Sequence, residues 1–121
     1  MKILVLHLSL LFLSFSINAK QVFLGPSNNS QEEIQEALID LEPGDILTLK
    51  PGEYFFEDGL SLDIDDVIFE GSGIDETILN FENQRSGAQG LLVTSNGVTI
   101  RDFAVLDAIK LISSREVNAK K

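Results

Sequence analysis

Asp63, Asp65 and Asp66 form the densest carboxylate group in this chain of 121 residues. Three oxygen-bearing side chains near one corner could ligate Ca2+, a hard cation that takes oxygen ligands. In an extended strand Asp63 and Asp65 point to one face, while Asp66 opens a turn. The group lacks the glycine and distal glutamate of a dedicated calcium loop. A competing use of the same residues is turn formation, in which Asp side chains accept from nearby backbone amides. Arg85 and Arg101 could meet a sugar carboxylate or act as a base in β-elimination, or simply be solvated surface cations. Tyr54 and Phe55 could offer a stacking platform to a sugar, or pack inside.

Other chemistries are excluded by residue type. There is no Cys, and the one His, His7, lies in an apolar leader. Without that leader the chain has no Ser-His-Asp or Cys-His nucleophile and no His-based zinc site. Gly71-Ser-Gly-Ile-Asp-Glu76 is glycine-rich, but it lacks the spacing and the Lys-Ser/Thr pair of a phosphate loop. No catalytic residue and no cofactor-binding residue is assigned, and the weak metal candidate is Asp63, Asp65 and Asp66 for Ca2+.

The leader itself reads as a signal peptide over residues 1–19. Lys2 supplies the positive start, Ile3 to Phe15 is almost wholly apolar, and Ile17-Asn18-Ala19 ends on a small residue. The apolar run is short of the ~18 or more residues that a membrane span needs. The expected location is therefore outside the cytoplasm, periplasmic or extracellular, with no membrane span after cleavage. A cysteine-free exported domain has no disulfides, so burial and backbone pairing must stabilise it.

The net charge is −10. Sixteen acidic residues and one basic residue, Lys50, lie between Glu32 and Glu82. This acidity argues against nucleic acid and anionic membrane surfaces as partners. The last twelve residues reverse it, with Lys110, Arg115, Lys120 and Lys121 against Glu116.

Two kinds of element must position these groups. Residues 20–29 form a short leader with turn residues at Gly25-Pro26 and Ser27-Asn28-Asn29. Ser30-Gln-Glu-Glu33 reads as a capping box for a helix over 30–42. Ile34, Ala37, Leu38 and Leu41 follow at helical spacing and make one apolar face, and Pro43-Gly44 stops it. From Gly44 onward the pattern is short strands divided by Gly, Asp and Asn.

Gly59 to Gly71 lines up with Gly90 to Asp102 at an offset of thirty-one residues. Leu60 falls on Leu91, Leu62 on Val93, Val67 on Val98 and Phe69 on Ile100. Inward phase is kept in both copies, as stacked like residues require. The varied gaps favour a solenoid over tight hairpins, with a small two-sheet sandwich as the other architecture. An open solenoid end would also offer unpaired edges for self-association.

Ile34-Gln-Glu-Ala37-Leu38, then Pro43-Gly44-Asp45-Ile46 with Leu49, Pro51-Gly52 and Tyr54, resembles the opening of right-handed parallel β-helix proteins of the pectin-lyase-like superfamily. Gly97-Val-Thr-Ile-Arg-Asp-Phe103 resembles one of their repeating units. The resemblance covers about Ser30 to Lys110. It implies a mainly β fold: a right-handed parallel β-helix of about three rungs over 44–112, an N-terminal α-helical cap at 30–42, and a basic irregular tail at 113–121. It also implies a carbohydrate-facing or cell-envelope role, with polysaccharide as partner. The family's catalytic groups lie on later rungs that this sequence does not reach, so the expected reading is an N-terminal fragment without catalysis of its own. Two alternatives stand: the first part of a polysaccharide lyase or hydrolase, and a structural or assembly module.

Overall fold

A computed structural model describes residues 19–107, with the backbone alone of 112–114 and 117–120. The expected signal peptide falls, but for Ala19, outside the described residues, as do 108–111, 115, 116 and 121. Among the described residues no helix is long and apolar enough to cross a membrane.

Strand β1 (Gln21–Leu24) precedes helix α1 (Ser30–Asp40). Then come β2 (Ile46–Leu49), β3 (Gly52–Phe55), β4 (Asp58–Leu62), β5 (Ile68–Glu70), β6 (Thr77–Asn80), β7 (Ser86–Val93), β8 (Val98–Arg101), β9 (Ala104–Leu106), β10 (Ile112–Ser114) and β11 (Val117–Lys120). The first sheet has the order β1-β2-β5-β8-β11, the second β10-β7-β4 and the third β3-β6-β9. Every pairing is parallel.

This corrects the expected fold class. The structure supports a mainly β chain with three small parallel sheets and one short helix, not a right-handed β-helix of about three rungs behind a helical cap. Two findings overturn that expectation. Pairing starts ahead of the helix, because β1 already pairs with β2. The interval between paired residues is also uneven: Thr48 and Glu70 are 22 positions apart, Glu70 and Arg101 are 31. The physical reason is that loop lengths differ at each corner, so no single period describes the chain. Two further strands, β10 and β11, lie where the basic tail was expected to be irregular.

The helix forms where its apolar spacing predicts. Ile34 and Leu38 are fully buried, and Leu41 just beyond the helix is too. Its start differs from the expected capping box. Ser30 lies inside the helix, and its hydroxyl donates to the Ser27 carbonyl at 3.0 Å. The Ser27 hydroxyl instead holds the Glu33 carboxylate and accepts from the Asn29 amide at 3.0 Å. The Gly25-Pro26 turn brings Ser27 back over the first turn of the helix, which displaces Ser30 from that task. Glu32 and Glu33 occupy this first turn, where the helix dipole favours anions.

One core joins the three sheets and the helix. Leu60 pairs with Leu91, Leu62 with Val93 and Phe69 with Ile100, which are residues superposed by the thirty-one-residue offset. All six are buried. Phe56 and Phe81 stack with ring centroids 4.7 Å apart. Phe69 and Phe103 meet at 5.0 Å, tilted. Offset and tilted rings suit the aromatic quadrupole and add to burial. Gly71 passes close to its neighbours, so a Cβ there would come within 2.4 Å of the Asp102 carbonyl and 2.7 Å of the Thr77 side chain. Only glycine permits that approach.

Candidate functional site

The three aspartates do separate jobs. Asp63 Oδ1 accepts from the Thr94 hydroxyl at 2.8 Å. Asp65 Oδ1 accepts from the Asn96 amide at 2.9 Å. Asp66 adopts φ 58° in the left-handed region, where its N–H donates to the Asn96 carbonyl and its carbonyl accepts from Gly44. Such a conformation is tolerated by Asp in tight corners. Among the described residues no three His, Cys, Asp or Glu side chains gather to hold a metal ion.

Arg101 belongs to a hydrogen-bonded row across the first sheet. Its Nε and Nη2 donate to Glu70 Oε1 at 3.0 and 2.7 Å. Glu70 Oε2 accepts from the Thr48 hydroxyl at 2.8 Å, and that hydroxyl oxygen accepts from Gln21 Nε2 at 3.0 Å. The row ties four parallel strands together and commits the Arg101 guanidinium to Glu70. Cross-strand pairs of this kind stabilise a sheet.

Tyr54 and Phe55 point to opposite faces of β3, as strand alternation requires. Tyr54 is fully buried, with its hydroxyl 2.6 Å from the Lys50 carbonyl and 3.1 Å from that of Leu24. Burial pushes its pKa up to about 12. It cannot act as a base near neutral pH. Phe55 is 50% exposed.

Around Phe55 the outer face of the third sheet is polar. Asn80 is paired with Phe55 in the strand register, and its Nδ2 donates to Glu53 Oε2 at 2.8 Å. Asn80 Oδ1 accepts from the Glu82 amide at 2.9 Å. Beyond the ends of β3 and β6 the chain leaves the sheet and forms an open cavity of about 410 Å³. Glu57, Glu82, Asn83, Gln84 and Arg85 line it. Arg85 Nη2 donates to Glu57 Oε2 at 2.9 Å. Gln84 Nε2 faces the carbonyls of Ser86 and Gln89, each at 2.9 Å, and that of Gly87 at 3.2 Å. Gln84 Oε1 is buried without a partner. The Gln84 amide thus gathers residues 86–89 at the start of β7, where β7 shifts register against β4.

This cavity combines an amide, carboxylates and a guanidinium, while Phe55 stands half exposed on β3 outside its lining. It can hydrogen-bond hydroxyls, and the half-exposed Phe55 can stack on a flat apolar ring face. It holds no nucleophile with an adjacent base. Of the site residues considered from sequence, Arg85 lines it, and Phe55, Tyr54, Arg101 and the three aspartates do not. Glu53, Glu57, Asn80 and Gln84 were missed. Their only sequence signal is a spacing of 27 positions for Glu53 and Asn80 and 28 for Glu57 and Arg85, hidden beside the dominant 31.

Elsewhere in the fold, Asp45 organises the entry of the chain into β2. Its Oδ1 accepts from the Lys20 amide at 3.0 Å and its Oδ2 from the Glu42 amide at 2.9 Å. These two amides, Lys20's first, hold its carboxyl below the ordinary value of 3.8.

No protein-family model, curated protein or solved structure matches this chain, and no such match identifies a pectin-lyase-like protein.

Proposed function

We propose that this protein is an exported binding module, without catalysis of its own, that presents the exposed Phe55 ring and the Glu57–Arg85 cavity to a polysaccharide in a periplasmic or extracellular setting. One observation carries the reading: Phe55 stands half exposed on β3, in register with Asn80 of the Glu53–Asn80 pair. Binding surfaces use such rigid aromatic faces as anchors, with polar groups fixing orientation. Support for export comes from Lys2 and the apolar run that follows it. The acidic body favours a neutral, hydroxyl-rich glycan over an acidic one, because a uronate chain would meet a net charge of −10.

Retention on insoluble cell-wall and algal polysaccharides tests this. Wild-type protein should be retained on at least one neutral glycan, and Phe55→Ala should weaken retention at least about tenfold. No retention on any glycan, or equal retention by the variant, would contradict the proposal.

A further inference from the structure

The expected leader ends at Ala19, and the fold holds the next residue by its backbone nitrogen. Ala19 and Lys20 are both exposed and lie just ahead of β1. The Lys20 carbonyl accepts from the Ile46 amide at 3.0 Å, and the Lys20 N–H donates to Asp45 Oδ1 at 3.0 Å. Asp45 is only 2% exposed. Its Oδ2 accepts from the Glu42 amide at 2.9 Å, with Lys20 Nζ 3.9 Å away. That Nζ ends a side chain that is 54% exposed, so water screens its charge. A carboxylate buried this far is normally paired with a close cation. Asp45 has two neutral amides and one solvated charge at the limit of ion-pair distance.

Hydrolysis of the Ala19–Lys20 peptide bond would supply the missing partner. The oxygen of a water molecule bonds to the Ala19 carbonyl carbon, and the C–N bond breaks. Both water protons end on the Lys20 nitrogen, so Ala19 keeps a carboxylate and Lys20 gains an α-ammonium. The nitrogen already stands 3.0 Å from Asp45 Oδ1, so a neutral donor becomes a charged one in place. A charge-assisted hydrogen bond is roughly twice as strong as a neutral one. The wider surroundings also favour a cation: Lys20 lines an open cavity of about 310 Å³ with Glu33, Glu36 and Asp40 of α1.

We propose that the buried Asp45 carboxylate is the receptor for the α-ammonium of Lys20, so that cleavage after Ala19 is a processing step that fastens β1 to β2. This pairing presupposes the export proposed above, with residues 1–19 as a cleaved leader. Register matters to it: one extra residue at the new N-terminus carries the charge away from Asp45 and leaves an amide in its place.

The test begins with the full chain expressed in a secreting bacterial host and the N-terminus of the exported protein read by mass spectrometry. It should begin at Lys20. A chain left unprocessed would overturn both this proposal and export. A chain beginning at another residue would overturn this proposal alone. Next, a glycine inserted between Ala19 and Lys20, with cleavage still after Ala19, moves the ammonium one residue outward. Its unfolding equilibrium constant at neutral pH should exceed that of the mature protein at least about tenfold. In an Asp45→Asn background the same insertion should change that constant less than about twofold. No insertion effect, or an equal effect in both backgrounds, would overturn the proposal and leave export standing. The pH profile decides even where Asp45→Asn does not fold. The α-ammonium faces Asp45, with Lys20 Nζ beside it and Glu33, Glu36 and Asp40 across the cavity. Pairing with Asp45 holds the folded-state pKa of the amine above its ordinary value of about 7.7–8.0. The stabilisation is therefore full below about pH 7.7 and is lost as pH rises through the folded-state pKa. An insertion effect unchanged from neutral pH to about pH 10 would overturn the proposal.

Discussion

Arg85 meets Glu57 twice: its guanidinium donates to the Glu57 carboxylate at 2.9 Å, and its backbone N–H donates to the Glu57 carbonyl at 2.8 Å. The backbone bond holds Arg85 beside Glu57 without the side chains. Both side chains are largely in water, at 76% and 65% exposure. A pair in that position contributes about 0–1 kcal/mol, since water screens it and two long side chains must be ordered. The side-chain pair is therefore dispensable for folding and free to meet a ligand. Arg85→Ala should change unfolding free energy in urea by less than about 1 kcal/mol while weakening glycan retention. A large loss of stability would mean that the pair is structural.

Phe55 and Phe56 are neighbours with opposite roles. Phe56 is buried against Phe81, and truncation to Ala should cost about 3–5 kcal/mol through lost burial and the cavity left behind. Phe55 is half exposed, so its truncation should change stability by about 0.5 kcal/mol or less. Urea denaturation of the two variants separates them. Equal losses would show that Phe55 is part of the core.

Asp45 sets an acid limit. Its folded-state pKa lies below 3.8 because the Lys20 and Glu42 amides favour the charged form. Its contribution is therefore fully present above pH 3.8 and is lost as pH falls below that value through the folded-state pKa. Asp45→Asn should lower stability near neutral pH and flatten this part of the acid unfolding profile. An unchanged profile would show that the two amide contacts do not bind the charged form preferentially.

Tyr54 sets an alkaline one. Burial raises its pKa from 10.0 to about 12, so the folded state keeps its proton while the unfolded chain releases it. Stability from this group is full below pH 10 and falls as pH climbs from 10 toward 12. Tyr54→Phe should remove that slope and cost about 1 kcal/mol at neutral pH through the lost hydroxyl hydrogen bond. Fluorescence-monitored unfolding against pH checks both.

Local pattern was legible where one physical cause dominated. The buried face of α1 followed from helical spacing of Ile34, Leu38 and Leu41. The pairs Leu60–Leu91 and Leu62–Val93 followed from a shared inward phase. What could not be read was which distant groups the uneven loops bring together. Glu53 finds Asn80, and Glu57 finds Arg85, at intervals that match neither the 22 of Thr48 and Glu70 nor the 31 of Glu70 and Arg101. Uneven corners also concealed the division into three small sheets. The partners of the aspartate cluster were hidden for the reverse reason. Residues adjacent in sequence lie at a corner, where each carboxylate or backbone group serves a different neighbour: Thr94, Asn96 and Gly44.

Backbone amide chemical shifts followed during titration with a soluble neutral oligosaccharide test the cleft most directly. The account predicts shifts confined to residues 53–57 and 80–86, centred on Phe55, Asn80 and Arg85, and absent in Phe55→Ala. Shifts centred instead on Gln21, Thr48 and Glu70 of the first sheet, or no shift with any neutral oligosaccharide, would contradict it.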